Sequence, residues 1–191
     1  MKRLIVLAAV AMITACGIED KKVEEQKAAE PLSQSINSNA FNQSFGQVMD
    51  SYYHLKDALV LSNDTLAKTS ANRIIALSDS VNLEELKADS SIVLMAQGYL
   101  DNISAEAKGL VGEKDIEGKR KSFQMISDNM YDLVRTVRYD RETIYHQFCP
   151  MAFNDAGAYW LSRTSDIKNP YFGRKMLTCG EVKDSLDFRS K

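Results

Sequence analysis

Apolar residues recur along most of the chain with the period of a helix. Four successive stretches place them at three- and four-residue spacings, which is the pattern of one buried helix face. Ser62-Asn63-Asp64 and Asp115 offer side chains that can cap the second and fourth helices. Because the connections are short, we predict a mainly α fold, an up-and-down four-helix bundle. The four expected faces are Phe41, Phe45, Val48, Met49, Tyr52, Leu55 and Leu59; Leu66, Ala67, Ala71, Ile74 and Leu77; Ile92, Ala96, Tyr99, Leu100, Ile103, Ala107 and Leu110; and Ile116, Phe123, Ile126, Met130, Leu133, Val134 and Val137.

The helical period stops near residue 138 and is followed by a two-residue alternation over residues 143–149. This alternation is typical of a strand, and residues 158–162 are its expected partner. Asn154-Asp155-Ala156-Gly157 supplies turn residues between the two, while Pro150 ends any strand soon after Cys149. We therefore predict a C-terminal cap of loops with a short hairpin.

The N-terminus has the pattern of an export signal. Lys2-Arg3 is a positive segment, and the apolar run that follows is too short to span a bilayer comfortably. Ile13-Thr14-Ala15-Cys16 resembles the lipobox of bacterial lipoproteins, in which the cysteine is acylated and becomes the first residue after cleavage. The resemblance implies a signal peptide over residues 1–15 and lipidation of Cys16.

The chain therefore divides into a signal peptide and three further segments. Residues 16–40 are charged and polar without apolar periodicity, which is the composition of a flexible tether. Residues 41–140 form the helical bundle, and residues 141–186 form the cap, in one domain with the bundle. Trp160 and Tyr171 are expected to pack the cap onto the helices. The predicted location is the bacterial cell envelope, with the lipid-anchored domain exposed to the periplasm or the cell surface.

Charge and motifs exclude some classes of function. A net charge of −2 has no basic surplus to neutralise phosphates, so we expect no nucleic-acid partner. The sequence lacks a nucleophile motif, a phosphate-binding glycine loop and a haem-attachment motif, which argues against an enzyme.

Most methionines and one histidine have structural explanations. His54 could share a helix face with Asp50 and Asp57, but a solvated face with a favourable contact accounts for them without a metal. Simple core packing is the expected role of four methionines on or near the helix stripes, Met49, Met95, Met125 and Met130.

The candidate site lies in the cap. Cys149-Pro150-Met151 leads into a long loop, and Met176 and Cys179 lead out of it. Thiolates and thioethers are soft ligands, so their convergence would select a soft ion such as Cu(I) or Ag(I). His146 is a further candidate ligand, although in a strand it points away from Cys149.

Two alternatives remain open for the cysteines. An exported protein enters an oxidising compartment, where Cys149 and Cys179 could form a disulfide worth about 3–4 kcal/mol in the chain-entropy model. The chain would then be a non-metal interaction module whose cap presents aromatic residues to a partner. The other alternative is that the two thiols are unrelated. The aromatic residues concerned are Tyr159, Trp160, Tyr171 and Phe172.

A family resemblance bears on this choice. From about Tyr52 to Leu186, the chain resembles a family of exported bacterial domains of unknown function. Leu55-Lys56-Asp57-Ala58-Leu59 and Arg120-x-x-Phe123-x-x-x-Ser127 are similar to the family's helices. Its C-terminal pattern is found here as Cys149-Pro150-Met151, Trp160, Asn169-Pro170-Tyr171-Phe172-Gly173 and Met176-Leu177-Thr178-Cys179-Gly180.

The resemblance implies a lipoprotein of the bacterial envelope, and similar domains are attached to adaptor subunits of copper and silver efflux pumps. We therefore expect the chain to bind Cu(I) or Ag(I), for sequestration or for handover to an efflux system. Its expected partners are the membrane, through the lipid anchor, and an efflux-pump adaptor or another envelope protein. The expected ligands are Cys149, Met151, Met176 and Cys179, with His146 as a further candidate.

Overall fold

A computed structural model describes residues 36–189 of the chain. Four long helices follow one another in the stretches where the apolar period predicts them, so the mainly helical prediction is confirmed. They are α1 (Asn39–Val60), α2 (Asp64–Ser78), α3 (Ser90–Gly112) and α4 (Ile116–Val137). The signal peptide, the lipidation candidate Cys16 and the tether up to residue 35 lie outside the described residues.

Side-chain caps set the starts of three of these helices. Ser38 accepts a hydrogen bond from the backbone N–H of Phe41 at 3.1 Å, which begins α1. Asn63 begins α2 by accepting from Leu66 N at 3.0 Å. Asp115 begins α4 by accepting from Gly118 N at 2.7 Å. Each cap satisfies one of the N–H groups that a helix leaves unpaired at its start.

Consecutive helices pack against one another, α1 on α2, α2 on α3 and α3 on α4. The predicted stripes form most of the core, but Leu66, Met95 and Met125 are roughly half exposed. Each lies one position before a fully buried residue on its helix. Successive side chains of an α-helix are rotated by about 100°, so these three side chains point away from the packed face. The prediction of core packing was therefore wrong for Met95 and Met125. Met49 and Met130 are buried as predicted.

A small strand pair lies at the start of the described residues. Ile36–Asn37 (β1) pairs antiparallel with Leu86–Lys87 (β2), which follows a 3₁₀ turn at Leu83–Glu85. The side-chain amide of Asn37 donates to the carbonyls of Val137 and Arg138 at 3.1 and 3.0 Å. Ordered backbone thus begins at least three residues before α1. In the described part of the chain, none of the helices is long and apolar enough to cross a membrane.

The cap contains a three-stranded antiparallel sheet in the order β4-β3-β5. The predicted hairpin is confirmed, since Tyr145 pairs with Ser162 at one end and Cys149 with Ala158 at the other. The third strand, β5, was not predicted, because its exposed edge position leaves five of its six residues without a buried face. The strands are β3 (Ile144–Cys149), β4 (Ala158–Ser162) and β5 (Glu181–Leu186); a short helical turn at Ala152–Asp155 (α5) and a 3₁₀ turn at Gly173–Met176 lie in the connections.

Tyr52 links the helices to the cap through a fully buried hydroxyl. This hydroxyl accepts a hydrogen bond from Leu161 N of β4 at 2.9 Å and pairs with the hydroxyl of Ser127 on α4 at 2.8 Å. Its ring stacks on Phe123, which in turn contacts Tyr171 of the cap loop with ring centroids 5.9 Å apart. The expected role of Tyr171 in packing the cap onto the helices is therefore confirmed.

Arg120 makes a second polar link at the other end of this junction. Its Nε donates to the carbonyl of Pro170 at 2.9 Å, and Nη2 donates to the hydroxyl of Ser62 at 3.1 Å and to the carbonyl of Leu59 at 3.4 Å. Glu117 neutralises the guanidinium at 2.5 Å. A buried cation is tolerated when its donors are satisfied in this way.

Removing only the hydroxyl of Tyr52 tests this junction. Tyr52→Phe leaves the buried N–H of Leu161 without its acceptor, and we expect a loss of about 1–3 kcal/mol in the free energy of unfolding. Urea denaturation measures the loss. The matched control is Tyr99→Phe on α3, a half-buried tyrosine for which we expect little change. Equal losses in the two variants would contradict the role assigned to the Tyr52 hydroxyl.

Candidate functional site

The structure brings the two candidate cysteines of the cap into contact. Cys149 ends β3 and is fully buried, whereas Cys179 lies at the end of the long loop and is partly exposed. Their Sγ atoms are 3.2 Å apart and share a hydrogen bond. This hydrogen bond, together with burial, raises the pKa of the Cys179 thiol. An ion that binds both sulfurs must therefore displace protons from them.

Asn169 holds the loop segment that carries Cys179. Its fully buried side chain accepts from the N–H groups of Tyr171 and Phe172 at 2.7 and 3.2 Å and donates to the carbonyl of Cys179 at 2.7 Å. Its backbone N–H donates to the carbonyl of Leu177 at 2.8 Å. The asparagine of the Asn-Pro-Tyr-x-Gly motif therefore positions one of the two sulfurs through its backbone.

Two glycines allow this loop to approach the rest of the fold. Gly180 follows Cys179 with φ +140°, and a Cβ there would lie 2.8 Å from the carbonyl of Phe148 and 2.9 Å from the Trp160 ring. Gly173 has φ +57°, and its Cβ would lie 2.8 Å from the carbonyl of Val60 at the end of α1. Both positions exclude larger residues for reasons of space as well as conformation.

The two candidate methionines lie together in the wall of a cleft of about 680 Å³. Met151 is 46% exposed, and Met176 is partly buried at the end of its 3₁₀ turn. The backbone N–H of Cys179 donates to the carbonyl of Met176 at 3.1 Å, which ties the cleft wall to the sulfur pair. Tyr171 also lines the cleft, and burial raises the pKa of its hydroxyl well above the usual value.

A left-handed turn forms another part of the cleft wall. Phe153, Asn154 and Asp155 have φ values of +54°, +58° and +65°, and all three line the cleft. Left-handed residues other than glycine usually occur singly, because each costs roughly 1–2 kcal/mol. The ring of Phe153 packs edge-on against Tyr171 at 5.4 Å, which helps to hold the turn in place.

His146 lies on the face of the sheet opposite to the cysteines. Its ring is stacked between Tyr131 of α4 and Tyr159 of β4, with centroids 3.9 and 4.5 Å away. Burial lowers the pKa of His146 to about 4. The strand continues through Cys149 without the turn that would bring the histidine to the sulfurs, so the structure does not group His146 with the other four candidates.

Burial corrects the aromatic surface expected in the interaction-module alternative. Trp160 is fully buried and Tyr171 is 4% exposed, because both fill the junction between the sheet, the loop and the helices. Only Tyr159 and Phe172 are partly accessible. These four residues therefore do not form a common exposed face.

The acidic neighbours of His54 have other partners. Asp50 forms an ion pair with Arg163, and Asp57 forms one with Lys56 at 3.0 Å. Between residues 36 and 189 there is no group of three or more His, Cys, Asp or Glu side chains arranged to hold a metal ion. The sulfur pair is a group of two, and the methionines would bind an ion through thioethers, so both are a separate case.

Comparison with known families matches the helical part of the chain. Residues 48–142 match a family described as protein of unknown function (DUF3347). The matched segment covers most of α1 and all of α2, α3 and α4, and it ends two residues before β3. Curated proteins and solved structures gave no significant match.

Sequence reasoning missed the positive side chains of the cleft. Arg120, Lys121 and Lys175 line it together with Glu117 and Asp155. The lysines stand in polar surface positions of the sequence, and only the packing of the cap loop beside the start of α4 brings them together. The motif Asn169-Pro170-Tyr171 indicated a turn. It did not indicate that the side-chain oxygen and amide of Asn169 both bond to the backbone of the loop.

Substituting Asn169 tests whether it positions the cysteine loop. Asn169→Ala leaves two backbone N–H groups and one carbonyl without partners, and we expect a loss of about 2–3 kcal/mol in the free energy of unfolding. Thermal and urea denaturation measure it. Asn102→Ala, on the exposed side of α3, is the matched control and should change stability little. A stable Asn169→Ala protein would show that the loop is held by other contacts.

The stacked histidine predicts a pH-dependent stability. The pKa of His146 is lowered from 6.5 to about 4 in the folded protein, so the unfolded chain takes up a proton in this interval while the folded protein does not. The stabilising contribution of the neutral, stacked His146 ring is present above pH 6.5 and is lost as the pH falls towards 4. We expect His146→Phe, which keeps the stacking, to lose less stability than the wild type between these pH values. Parallel pH profiles of the free energy of unfolding would contradict this assignment.

Proposed function

We propose that the protein is an envelope lipoprotein that binds Cu(I) or Ag(I) through Cys149 and Cys179. The observation that carries the proposal is the contact between the two sulfurs, 3.2 Å apart at the junction of β3 and the loop. Thiolates are the protein ligands best suited to soft monovalent ions. The bound ion is cargo, held for sequestration or for handover to an efflux system.

The separation of the sulfurs supports shared ligation. Two metal–sulfur bonds of about 2.3 Å at a tetrahedral angle place the sulfurs about 3.8 Å apart. The pair must therefore open by only about 0.6 Å to hold one ion. Side-chain rotation of Cys179, the more accessible of the two residues, can supply this movement.

Met151 and Met176 are the proposed thioether ligands. Both line the cleft, which neither cysteine lines. Each is close in sequence to one of the cysteines, Met151 to Cys149 across Pro150 and Met176 to Cys179 within one hydrogen-bonded turn. Neutral thioethers add soft donors without adding charge, which favours monovalent over divalent ions. His146 is left out of the proposed ligand set because it faces the other side of the sheet.

The sequence context supports the proposed location and partners. The signal-like residues 1–15, the lipobox-like Cys16 and the polar tether would present the domain at the membrane surface of the envelope. We infer that the four long helices form an up-and-down bundle, a rigid base for the cap. The resemblance of the cysteine and methionine motifs to domains attached to copper and silver efflux adaptors makes such an adaptor the proposed partner.

A disulfide-stapled interaction module is the second candidate. The same sulfur contact favours it, because closing the pair to a bond of about 2.0 Å requires a movement of about 1.2 Å. With Trp160 and Tyr171 buried, the partner surface in this candidate would be the cleft and not the four aromatic residues. The state of the thiols in the mature protein separates the two candidates.

Silver titration tests the metal proposal without redox chemistry. Trp160 is the single tryptophan of the chain, and its ring abuts Gly180, the residue after Cys179. We expect Ag(I) added to the reduced full-length protein to quench Trp160 fluorescence with one tight site. Met151→Leu combined with Met176→Leu should weaken the site about tenfold, or ~1.4 kcal/mol, and leave the helical circular dichroism unchanged.

Cysteine variants and a thiol count complete the test. Cys149→Ser and Cys179→Ser should each abolish tight binding, whereas Met95→Leu and Met125→Leu, which change exposed methionines on helices, should not affect it. Thiols are also counted in the isolated protein before and after reduction. If Cys149 and Cys179 are unreactive before reduction and the reduced protein binds no silver, the metal proposal is wrong and the stapled module is favoured.

A further inference from the structure

The cleft that Met151 and Met176 line has an unusual charge for a surface that carries proposed ligands of a cation. Three positive side chains line it, Arg120, Lys121 and Lys175, against two negative ones, Glu117 and Asp155. The chain as a whole carries a formal charge of −2. The cleft is therefore locally positive on a protein that is negative overall.

The two lysines are the charges available to a ligand. The guanidinium of Arg120 is already satisfied by Glu117, Pro170 and the end of α1. Lys121 and Lys175 are exposed, and within residues 36–189 neither side-chain ammonium group forms an ion pair or a hydrogen bond; the one hydrogen bond that Lys175 donates comes from its backbone N–H, to the carbonyl of Phe172. Their ammonium groups are free to meet an incoming anion.

This arrangement disfavours the approach of a free metal cation and favours that of an anion. Like charges at the mouth of a cleft lower the local concentration of an incoming ion and its association rate, and opposite charges raise both. Soft monovalent ions readily form anionic complexes with small soft ligands such as thiolates, thiosulfate and chloride. Such a complex matches both the charge of the entrance and the soft ligands in its wall.

We propose that the protein takes up its ion from an anionic complex with small soft ligands, which docks in the cleft against Lys121 and Lys175. This proposal rests on the proposed function and names the form in which the substrate arrives. Met151 and Met176 line the same cleft and offer the first neutral sulfur donors for ligand exchange. The ion then passes to the cysteine pair; neither cysteine lines the cleft, but the backbone N–H of Cys179 donates to the carbonyl of Met176 in the cleft wall at 3.1 Å.

The exchange balances without an oxidant or reductant. The ion leaves its carrier ligands, which depart as anions, and it forms bonds to the sulfurs of Cys149 and Cys179. The two thiols release their protons to solvent as these bonds form. The oxidation state of the ion does not change.

The test compares two silver donors of opposite charge. Anionic silver bis(thiosulfate) and cationic silver diammine are mixed with the reduced full-length protein at low ionic strength, and the rate of Trp160 quenching is followed by stopped flow. We expect Lys121→Glu combined with Lys175→Glu to slow loading from the thiosulfate complex by roughly tenfold or more. Loading from the diammine complex should be as fast as in the wild type or faster.

A matched pair of substitutions controls for net charge. Lys87→Glu combined with Lys108→Glu changes the charge by the same amount at exposed positions that do not line the cleft, and should leave both rates nearly unchanged. The wild type supplies a test that needs no variant. Its loading rate from the thiosulfate complex should fall with increasing salt, while the rate from the diammine complex should not.

The outcomes separate this proposal from the one on which it rests. If silver binds to the cysteines but the cleft lysines and the control lysines have equal effects, or the donor charge has none, the anionic-complex proposal is wrong and the metal site stands. If the wild-type protein takes up silver from neither donor, both proposals are wrong. Docking of thiosulfate alone, without transfer of silver, would likewise overturn the uptake route.

Discussion

The structure depends on polar groups that are satisfied only across the junction between the helices and the cap. The N–H of Leu161 in β4 has its acceptor in the hydroxyl of Tyr52 on α1, and the carbonyl of Pro170 in the loop has its donor in Arg120 on α4. Unpaired, each buried group would cost about 1–3 kcal/mol. The helices and the cap are therefore parts of one folded unit. The junction between them holds in place the strand and the loop that carry the two sulfurs.

One face of α4 is specialised for this contact. Arg120, Phe123 and Ser127 lie at three- and four-residue spacings and meet Pro170, Tyr171 and the Tyr52 hydroxyl, respectively. The same three positions carry the sequence resemblance of this helix to a family of domains of unknown function. The segment that matches a family of unknown function ends at residue 142, before the three strands of the cap sheet. The partners of Arg120 and Phe123 in the cap, Pro170 and Tyr171, therefore lie beyond the matched segment, whereas Tyr52 lies within it.

Local pattern was sufficient to predict the helices, two of their caps and the β3–β4 hairpin, because each depends on periodicity or on a side chain close in sequence. It also predicted that His146 would face away from Cys149. The edge strand β5 could not be predicted in the same way, since its pairing partner is distant and its own residues are mostly exposed. Met95 and Met125 are exposed because neighbouring helices cover the adjacent side of each helix. Periodicity locates the covered side only to within about one residue, so it could not exclude these two methionines from the core.

The cleft required still more long-range information. Its charge comes from side chains on α4 and in the loop, about fifty positions apart in sequence. Asn154 and Asp155 indicated a turn, but no sequence signal placed Phe153 in the left-handed region with them. Contact between Cys149 and Cys179 was considered from residue type, but sequence could not show that the sulfurs lie 3.2 Å apart, or that Met151 and Met176 line a cleft that neither cysteine lines.

The long sequence separation of the junction contacts has a consequence for the order of folding. Contacts between consecutive helices are local, whereas the bond between Tyr52 and Leu161 joins residues 109 positions apart, and the cysteines are 30 positions apart. Since non-local contacts close late in folding, the helices are expected to form before the cap docks. The contact between the two thiols is also non-local, so we expect it to form after the helices. Until that step, each remains open to oxidants and to other thiols in its surroundings.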